Sequence, residues 1–248
     1  MKTRVTISLA QISVARGDLD TNLEHHLKMI ELSSNYNADV VVFPELSLTG
    51  YELDLAAHLA FAPEASSFKE LSQASVENEI IVIAGSPLQV SNSSKPTIGA
   101  VACFPNGAVQ FYSKKFLHPG EENYCLCGED DYFFNVNGYK IALAICADFT
   151  KPEHSQQAKK LGADIYLVSA LISEKGFAPD SKILSEIASE HGFPVLLSNH
   201  ISVTGGWETC GKSSVWNSSG ECVIGDSFTE SGLVLCTISG NAVEATKP

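Results

Sequence analysis

Residues 38–47 read ADVVVFPELS, and residues 163–173 read ADIYLVSALIS. Each pairs Ala-Asp with a short β-rich run that is apolar at consecutive positions, the signature of a strand buried on both faces. A helical pattern precedes each. Leu19, Leu23, Leu27 and Ile30 recur at helical spacing through about Ser34, with Asp18 or Asp20 available as cap, and a second helix is expected near 152–161. Helix followed by buried strand, once in each half, suggests two similar α/β layers packed sheet to sheet with helices outside.

The remaining segments extend this pattern. MKTRVTISLAQISVARG alternates, because Thr6, Ser8 and Gln11 interrupt the apolar residues, so it reads as a first strand rather than a signal peptide. A helix near 65–77 leads into the buried strand EIIVIAGS. Asn106-Gly107 and Asn137-Gly138 each signal a two-residue hairpin. A helix near 180–191 and the strand PVLLSN follow, and the short strands and turns of 213–228 and 231–239 are expected to complete the second sheet. With no linker or repeat, residues 1–248 are expected to form a single domain.

Composition narrows the function classes. A formal net charge of -13 without a Lys/Arg cluster disfavours nucleic acid as a partner. No segment approaches the roughly 18–20 continuous apolar residues of a membrane span. Seven cysteines without framework spacing fit reduced thiols and a cytoplasmic location. Cys125-x-Cys127 with His118 nearby lacks the paired spacing of a zinc site, so no metal is expected there.

Three positions could carry chemistry. Cys146 ends the apolar strand KIALAIC, and Thr150 with Glu153 makes a capping-box pattern around Pro152, so a helix N-terminus is expected just beyond the thiol. Glu45 follows its strand through Pro44, where a carboxylate can serve as a general base. Lys114 lies in FYSKKF, and alternation sends it and Lys115 to opposite sides. Each also has a structural reading: a buried cysteine, a solvated loop charge, a snorkelling edge lysine.

Taken in order, VVFPELSLTGY, YSKKFLHPGEENYCLCGED and IALAICADFTKPEHSQQAKKLGADIYLVSA resemble the three signature blocks of the nitrilase superfamily of carbon–nitrogen hydrolases. The resemblance implies a four-layer α-β-β-α sandwich of two mixed sheets and an amidase-like reaction on a small amide-type substrate. It assigns Glu45 as base, Lys114 as oxyanion stabiliser, Cys146 as nucleophile and Glu121 as the second glutamate, with Glu122 a one-residue rival. The Ala147 backbone N–H would share the oxyanion with Lys114. No cofactor is implied, and a homodimer or higher homo-oligomer is usual for the family. Nitrilase and acyltransferase chemistry fit the same site, and a non-catalytic scaffold is the reading from another class.

Two departures bear on the substrate. The bulky residue that commonly follows the nucleophile is replaced by Ala147, and the histidine often found two residues beyond the lysine is Phe116. Burial is expected to raise the Glu45 carboxyl. Asn199, following a strand at the level of the site, is a candidate substrate contact, and His191, His200, Trp207 and Trp216 could line a pocket. Residues 52–63, 170–179 and 201–212 contain no motif that reports the substrate.

Overall fold

The two Ala-Asp strands occupy central positions in two separate sheets of a computed structural model, which describes residues 2–225 and 230–248. In chain order the elements are β1 (Val5–Gln11), α1 (Leu19–Asn35), β2 (Val40–Val42), α2 (Ala56–Leu59), α3 (Lys69–Glu77), β3 (Ile81–Leu88), β4 (Thr97–Cys103), β5 (Val109–Ser113), β6 (Phe133–Val136) and β7 (Tyr139–Ile145). There follow α4 (Pro152–Lys160), β8 (Ile165–Ala170), α5 (Glu174–His191), β9 (Val195–Asn199), β10 (Val203–Thr204), β11 (Trp207–Glu208), β12 (Ser214–Trp216), β13 (Cys222–Ile224), β14 (Gly232–Ser239) and β15 (Ala242–Thr246). Residues 226–228, expected to help finish the second sheet, lie outside the described residues, and the strand at 232–239, expected in that sheet too, is instead β14, paired antiparallel with β1 in the first sheet.

The first sheet runs β15-β14-β1-β2-β3-β4-β5 and the second β13-β12-β9-β8-β7-β6. Each has a parallel centre, β1-β2-β3 and β7-β8-β9, with antiparallel flanks, so both are mixed. One core joins Ile7, Val40 and Ile83 of the first sheet to Ile141, Leu167 and Leu196 of the second. Val41 and Phe43 face the opposite way, toward Ile30 and Leu71 of α1 and α3, while Tyr166 and Val168 meet Phe177 and Leu184 of α5. This is the four-layer α-β-β-α sandwich, and it explains why the central strands show no polar alternation.

The sheets are also joined by hydrogen bonds near the strands' C-terminal ends. Ser169 Oγ donates to the Phe43 carbonyl (2.8 Å), and Ser198 Oγ donates to that of Ala10 (2.7 Å). Buried donors that would otherwise be orphaned therefore fix the relative height of the two sheets where the site forms.

Local readings hold with three corrections. Asp18 caps α1 by accepting from the Thr21 N–H (3.1 Å), and Asn137 and Gly138 both have positive φ in the two-residue turn between β6 and β7. The Asn106-Gly107 hairpin is instead a three-residue loop: Phe104 N donates to Ala108 O, Pro105 opens the turn and Gly107 alone takes positive φ. Helix α5 starts at Glu174 rather than 180, because Ser173 caps it and Pro179 is accommodated inside it. The expected capping box at Thr150 does not form: its hydroxyl donates back to the Ala147 carbonyl, and α4 begins without a side-chain cap. No helix among the described residues is long and apolar enough to cross a membrane.

Candidate active site

The turn carrying Glu45 begins where β2 ends. Pro44 takes the chain out of the ladder, Leu46 adopts positive φ, and Ser47 N closes back on the Pro44 carbonyl (3.2 Å). The neighbouring strand must let this turn sit on it. A Cβ on Gly85 of β3 would lie 2.3 Å from Leu46 N and 2.5 Å from Pro44 O, inside any tolerable contact. Gly85→Ala is therefore expected to displace the Glu45 turn, lowering kcat by about 10²-fold if the shift approaches 1 Å and destabilising by ~1–3 kcal/mol. Steady-state kinetics with a thermal melt check this; wild-type kcat would show that the turn tolerates the extra methyl.

Lys114 follows β5, its N–H extending the ladder to Ile98 O (2.8 Å). Alternation places its side chain inward and fully buried, while Lys115 turns away to pair with Asp131 (2.6 Å). The chain then loops through a 3-10 turn at Glu121–Asn123 and returns beside the same strand. Gly128 N donates to the Lys114 carbonyl (2.7 Å), where a Cβ on Gly128 would meet Ser113 O at 2.2 Å. That return delivers Glu121 to Lys114.

The Lys114 ammonium donates to Glu45 Oε1 (2.6 Å) and to Glu121 Oε1 (2.7 Å). Glu121 also accepts from the Tyr51 hydroxyl (2.5 Å) and, through Oε2, from the His118 N–H (2.7 Å). Its rival Glu122 is exposed and accepts from the Gly120 N–H, so Glu121 is the glutamate at the lysine. Among the described residues no donor reaches the buried Glu45 Oε2 in hydrogen-bond geometry, although the Cys146 thiol is close enough to lower the carboxyl's pKa. The Glu45 backbone is held as well, its carbonyl accepting from His200 Nε2 (2.6 Å).

Cys146 is the first residue of a 3-10 turn, Cys146–Thr150, with φ of +44°. A non-glycine residue there is strained unless its surroundings fix it. Asp148 supplies that fixing: its carboxylate accepts from the N–H groups of Ile145 (2.9 Å), Lys115 (3.0 Å) and Phe116 (2.9 Å) and from the Tyr112 hydroxyl (2.6 Å). One buried carboxylate thus ties the cysteine turn of the second sheet to the end of the lysine strand of the first.

The thiol stands, as the sequence suggested, between the end of β7 and a helical start, a 3-10 turn followed by α4 with Pro152 in its first turn, but it is not held as a thiolate. Burial and then the Glu45 charge push the Cys146 thiol well above its ordinary range, with Lys114 opposing. Burial raises the Glu45 carboxyl to about 7, Lys114 pulling it down and Glu121 pushing it up. For Lys114, burial works against the charge, but Glu45, Cys146 and Glu121 outweigh it and hold the ammonium protonated. The resting site therefore combines a protonated thiol, a carboxyl near its midpoint at neutral pH and a permanent cation.

A cavity of about 310 Å³ opens above these groups, lined in part by Glu45, Tyr51, Cys146, Ala147, Ile172 and Trp207. Two of the three segments without a motif line it directly, 170–179 through Leu171 to Gly176 and 201–212 through Trp207. Glu52 anchors the β10–β11 hairpin that carries Trp207, accepting from Thr204 Oγ1 (3.1 Å) and Gly205 N (2.9 Å). Trp216 is core, and His191 bonds Ser155 Oγ (3.0 Å), so neither lines the cavity. Asn199 is fully buried and does not line it either. Its amide accepts from Ile172 N (2.8 Å) and donates to Ile172 O (3.1 Å) and Gly211 O (2.7 Å), which positions a cavity wall instead of substrate. Sequence reasoning missed Tyr51 and the backbone role of His200, neither of which has a local signal.

Cys125 is buried and Cys127 exposed. Among the described residues no group of three or more His, Cys, Asp or Glu is arranged to hold a metal ion.

A two-sheet sandwich in which a cysteine and a glutamate line one cavity, the glutamate bonded to a buried lysine that a second glutamate also holds, is the arrangement of a carbon–nitrogen hydrolase. The chain matches the carbon–nitrogen hydrolase family over residues 6–248 and belongs to it. It is 29% identical to a 2-oxoglutaramate amidase of Bacillus subtilis over 167 residues, 66% of this chain and 64% of that protein. It is 30% identical to a glutamine-dependent NAD(+) synthetase of Aquifex aeolicus over 169 residues, 65% of this chain but 29% of that protein. The chain thus spans less than two thirds of these curated relatives. An amidase of Nesterenkonia sp. AN1, solved as a mutant in complex with butyramide, shares the fold with a TM-score of 0.86 at 22% identity, covering 97% of this chain and 93% of that one.

Proposed function

We propose that this carbon–nitrogen hydrolase is an amidase that converts a small carboxamide to the acid and ammonia through a thioester on Cys146. The observation that carries this reading is the placement of Glu45: one oxygen is held by Lys114, the other is buried without a hydrogen-bond donor in reach among the described residues, and the residue lines the same cavity as Cys146, whose thiol is close enough to lower its pKa. Glu45 takes the thiol proton as sulfur attacks the carboxamide carbon. Such assistance is needed because the thiol is pushed up and does not ionise on its own.

The developing oxyanion is stabilised by the Lys114 ammonium and the Ala147 N–H, each of the kind that contributes about 10²–10³ in rate. Glu45 then protonates the departing ammonia, and water, activated by the same carboxylate, hydrolyses the thioester. Glu121 touches no reacting atom in this scheme; it positions Lys114, with Tyr51 and the His118 N–H fixing Glu121 in turn. Residues 1–248 act as one catalytic domain, supported by the core shared between the sheets.

The cavity volume, at the low end of the roughly 300–1,000 Å³ of small-molecule sites, suits compact amides. Relatives that act on ω-amides supply a second reading, a glutamine- or oxoglutaramate-type substrate. Ammonia release from a panel of aliphatic amides, ω-amides and nitriles tests the proposal. Release from amides by the wild type and not by Cys146→Ala is expected, and no release from any amide would refute it.

A further inference from the structure

The wall of the cavity carries a charge that the chemistry above does not use. Asp180, on α5, lines the same cavity as Cys146. No donor among the described residues hydrogen-bonds its carboxylate, and burial raises its proton affinity, with His118 opposing. One turn earlier on the helix, Gly176 leaves the space in front of that carboxylate open: a Cβ there would lie 3.5 Å from Asp180 Oδ2 and 3.4 Å from Ser173 Oγ, ordinary contact distances. Ser173 and Gly176 line the cavity too, so this part of the wall is a polar strip with a half-buried carboxylate in it.

The charge around that strip is one-sided. Among the described residues lining the cavity there is no lysine or arginine; the acidic groups are Glu45 and Asp180, and the exposed His118 stands at the side. The Lys114 ammonium is enclosed by Glu45 and Glu121, and Arg16, in the adjoining outer recess, is held by Glu52 and by Asp54 (2.5 Å). The positive end of α5 is answered by the Ser173 cap, which accepts from Gly176 N (3.2 Å), and by Glu174 in the first turn. Lys212 is paired with Glu174 (2.7 Å). A substrate carboxylate entering here would meet no lysine or arginine among the described lining residues, whereas an ammonium would meet a carboxylate that accepts no hydrogen bond from them and has only His118 beside it.

We infer that Asp180 is a specificity-determining residue of this cavity, and that the preferred substrates are small amides bearing an amino group, held as ammonium against Asp180 while the carboxamide lies at Cys146. This deepens the amidase reading and rests on it. It ranks substrates by charge: ammonium-bearing amides first, neutral amides next, ω-amides of dicarboxylates last.

The test compares kcat/KM for three amides of matched length, 4-aminobutyramide, butyramide and succinamate, in the wild type, Asp180→Asn and Asp180→Lys. The quantity read is the ratio of the cationic to the anionic amide within each variant, so loss of folded protein cancels. A hydrogen-bonded charge contact predicts a ratio well above one in the wild type, a fall of roughly 10–100-fold in Asp180→Asn, and a further fall or inversion in Asp180→Lys. A wild-type ratio at or below one, or a ratio unchanged in both variants, overturns the inference while butyramide turnover leaves the amidase reading standing. No turnover of any amide by the wild type removes both.

Discussion

Lys114→Met is expected to lower stability more than any other single change in the site, and to lower turnover as well. The wild-type ammonium is fully buried and bonds two buried carboxylates, Glu45 at 2.6 Å and Glu121 at 2.7 Å. Methionine matches the length of the side chain but supplies no donor. Glu121 would keep the Tyr51 hydroxyl and the His118 N–H, but Glu45 would lose its one side-chain hydrogen bond among the described residues, since no donor reaches its other oxygen in that geometry. Removing one partner of such a buried group costs about 3–5 kcal/mol. In a chain of this size that lowers Tm by roughly 10 °C or more.

The pH dependence of that loss has a definite sign. A carboxyl whose folded pKa lies above its unfolded value binds more protons when folded, so its contribution to stability falls as pH rises between the two values. For wild-type Glu45 that window runs from 4.5 to about 7. Without Lys114, which pulls the carboxyl down, the window extends upward, so the variant's deficit should be larger at pH 8 than at pH 5. Calorimetry at both values checks this, and a deficit independent of pH would mean that the two glutamates are not relying on the lysine.

Glu45→Gln has the second large effect and separates chemistry from folding. Glutamine keeps an oxygen acceptor for Lys114 in nearly the same volume but takes no proton from the thiol. Turnover should fall by about 10²–10⁴-fold while the melt remains near that of the wild type. In the wild type the ionised fraction of Glu45 rises as pH passes through about 7, so kcat/KM should rise through that region. The apparent midpoint belongs to the coupled set of Glu45, Lys114, Glu121 and Cys146 rather than to one residue. A profile flat from pH 5 to 9, or a fully active variant, would return Glu45 to a structural role.

The parts of this site that were legible in the sequence are those written in local pattern. Glu45 and Cys146 each follow a short apolar strand, and the duplicated Ala-Asp strands announce two layers. Alternation put Lys114 and Lys115 on opposite sides. Asn199 shows the limit: its position at the end of β9 is readable, but its amide is taken up by Ile172 and Gly211, and only the packing of three separate segments reveals that. The capping beside Cys146 was misread for a related reason. Thr150 and Glu153 have capping-box spacing, yet Asp148 reaches backbone groups 30 or more residues away in sequence and sets the turn instead. His200 likewise acts across the interface between the sheets, and Tyr51 reaches Glu121 from a segment 70 residues away, where sequence separation carries no spacing rule.

The central claim is that Cys146 carries the acyl group. Rapid acid quench of the protein with butyramide, followed by peptide mass spectrometry with and without hydroxylamine, tests it most directly. A butyryl group is expected on the Cys146 peptide, absent from Cys146→Ala, and discharged as the hydroxamate when hydroxylamine is present. Ammonia release with Cys146 unmodified throughout, or undiminished turnover by Cys146→Ala, would contradict it.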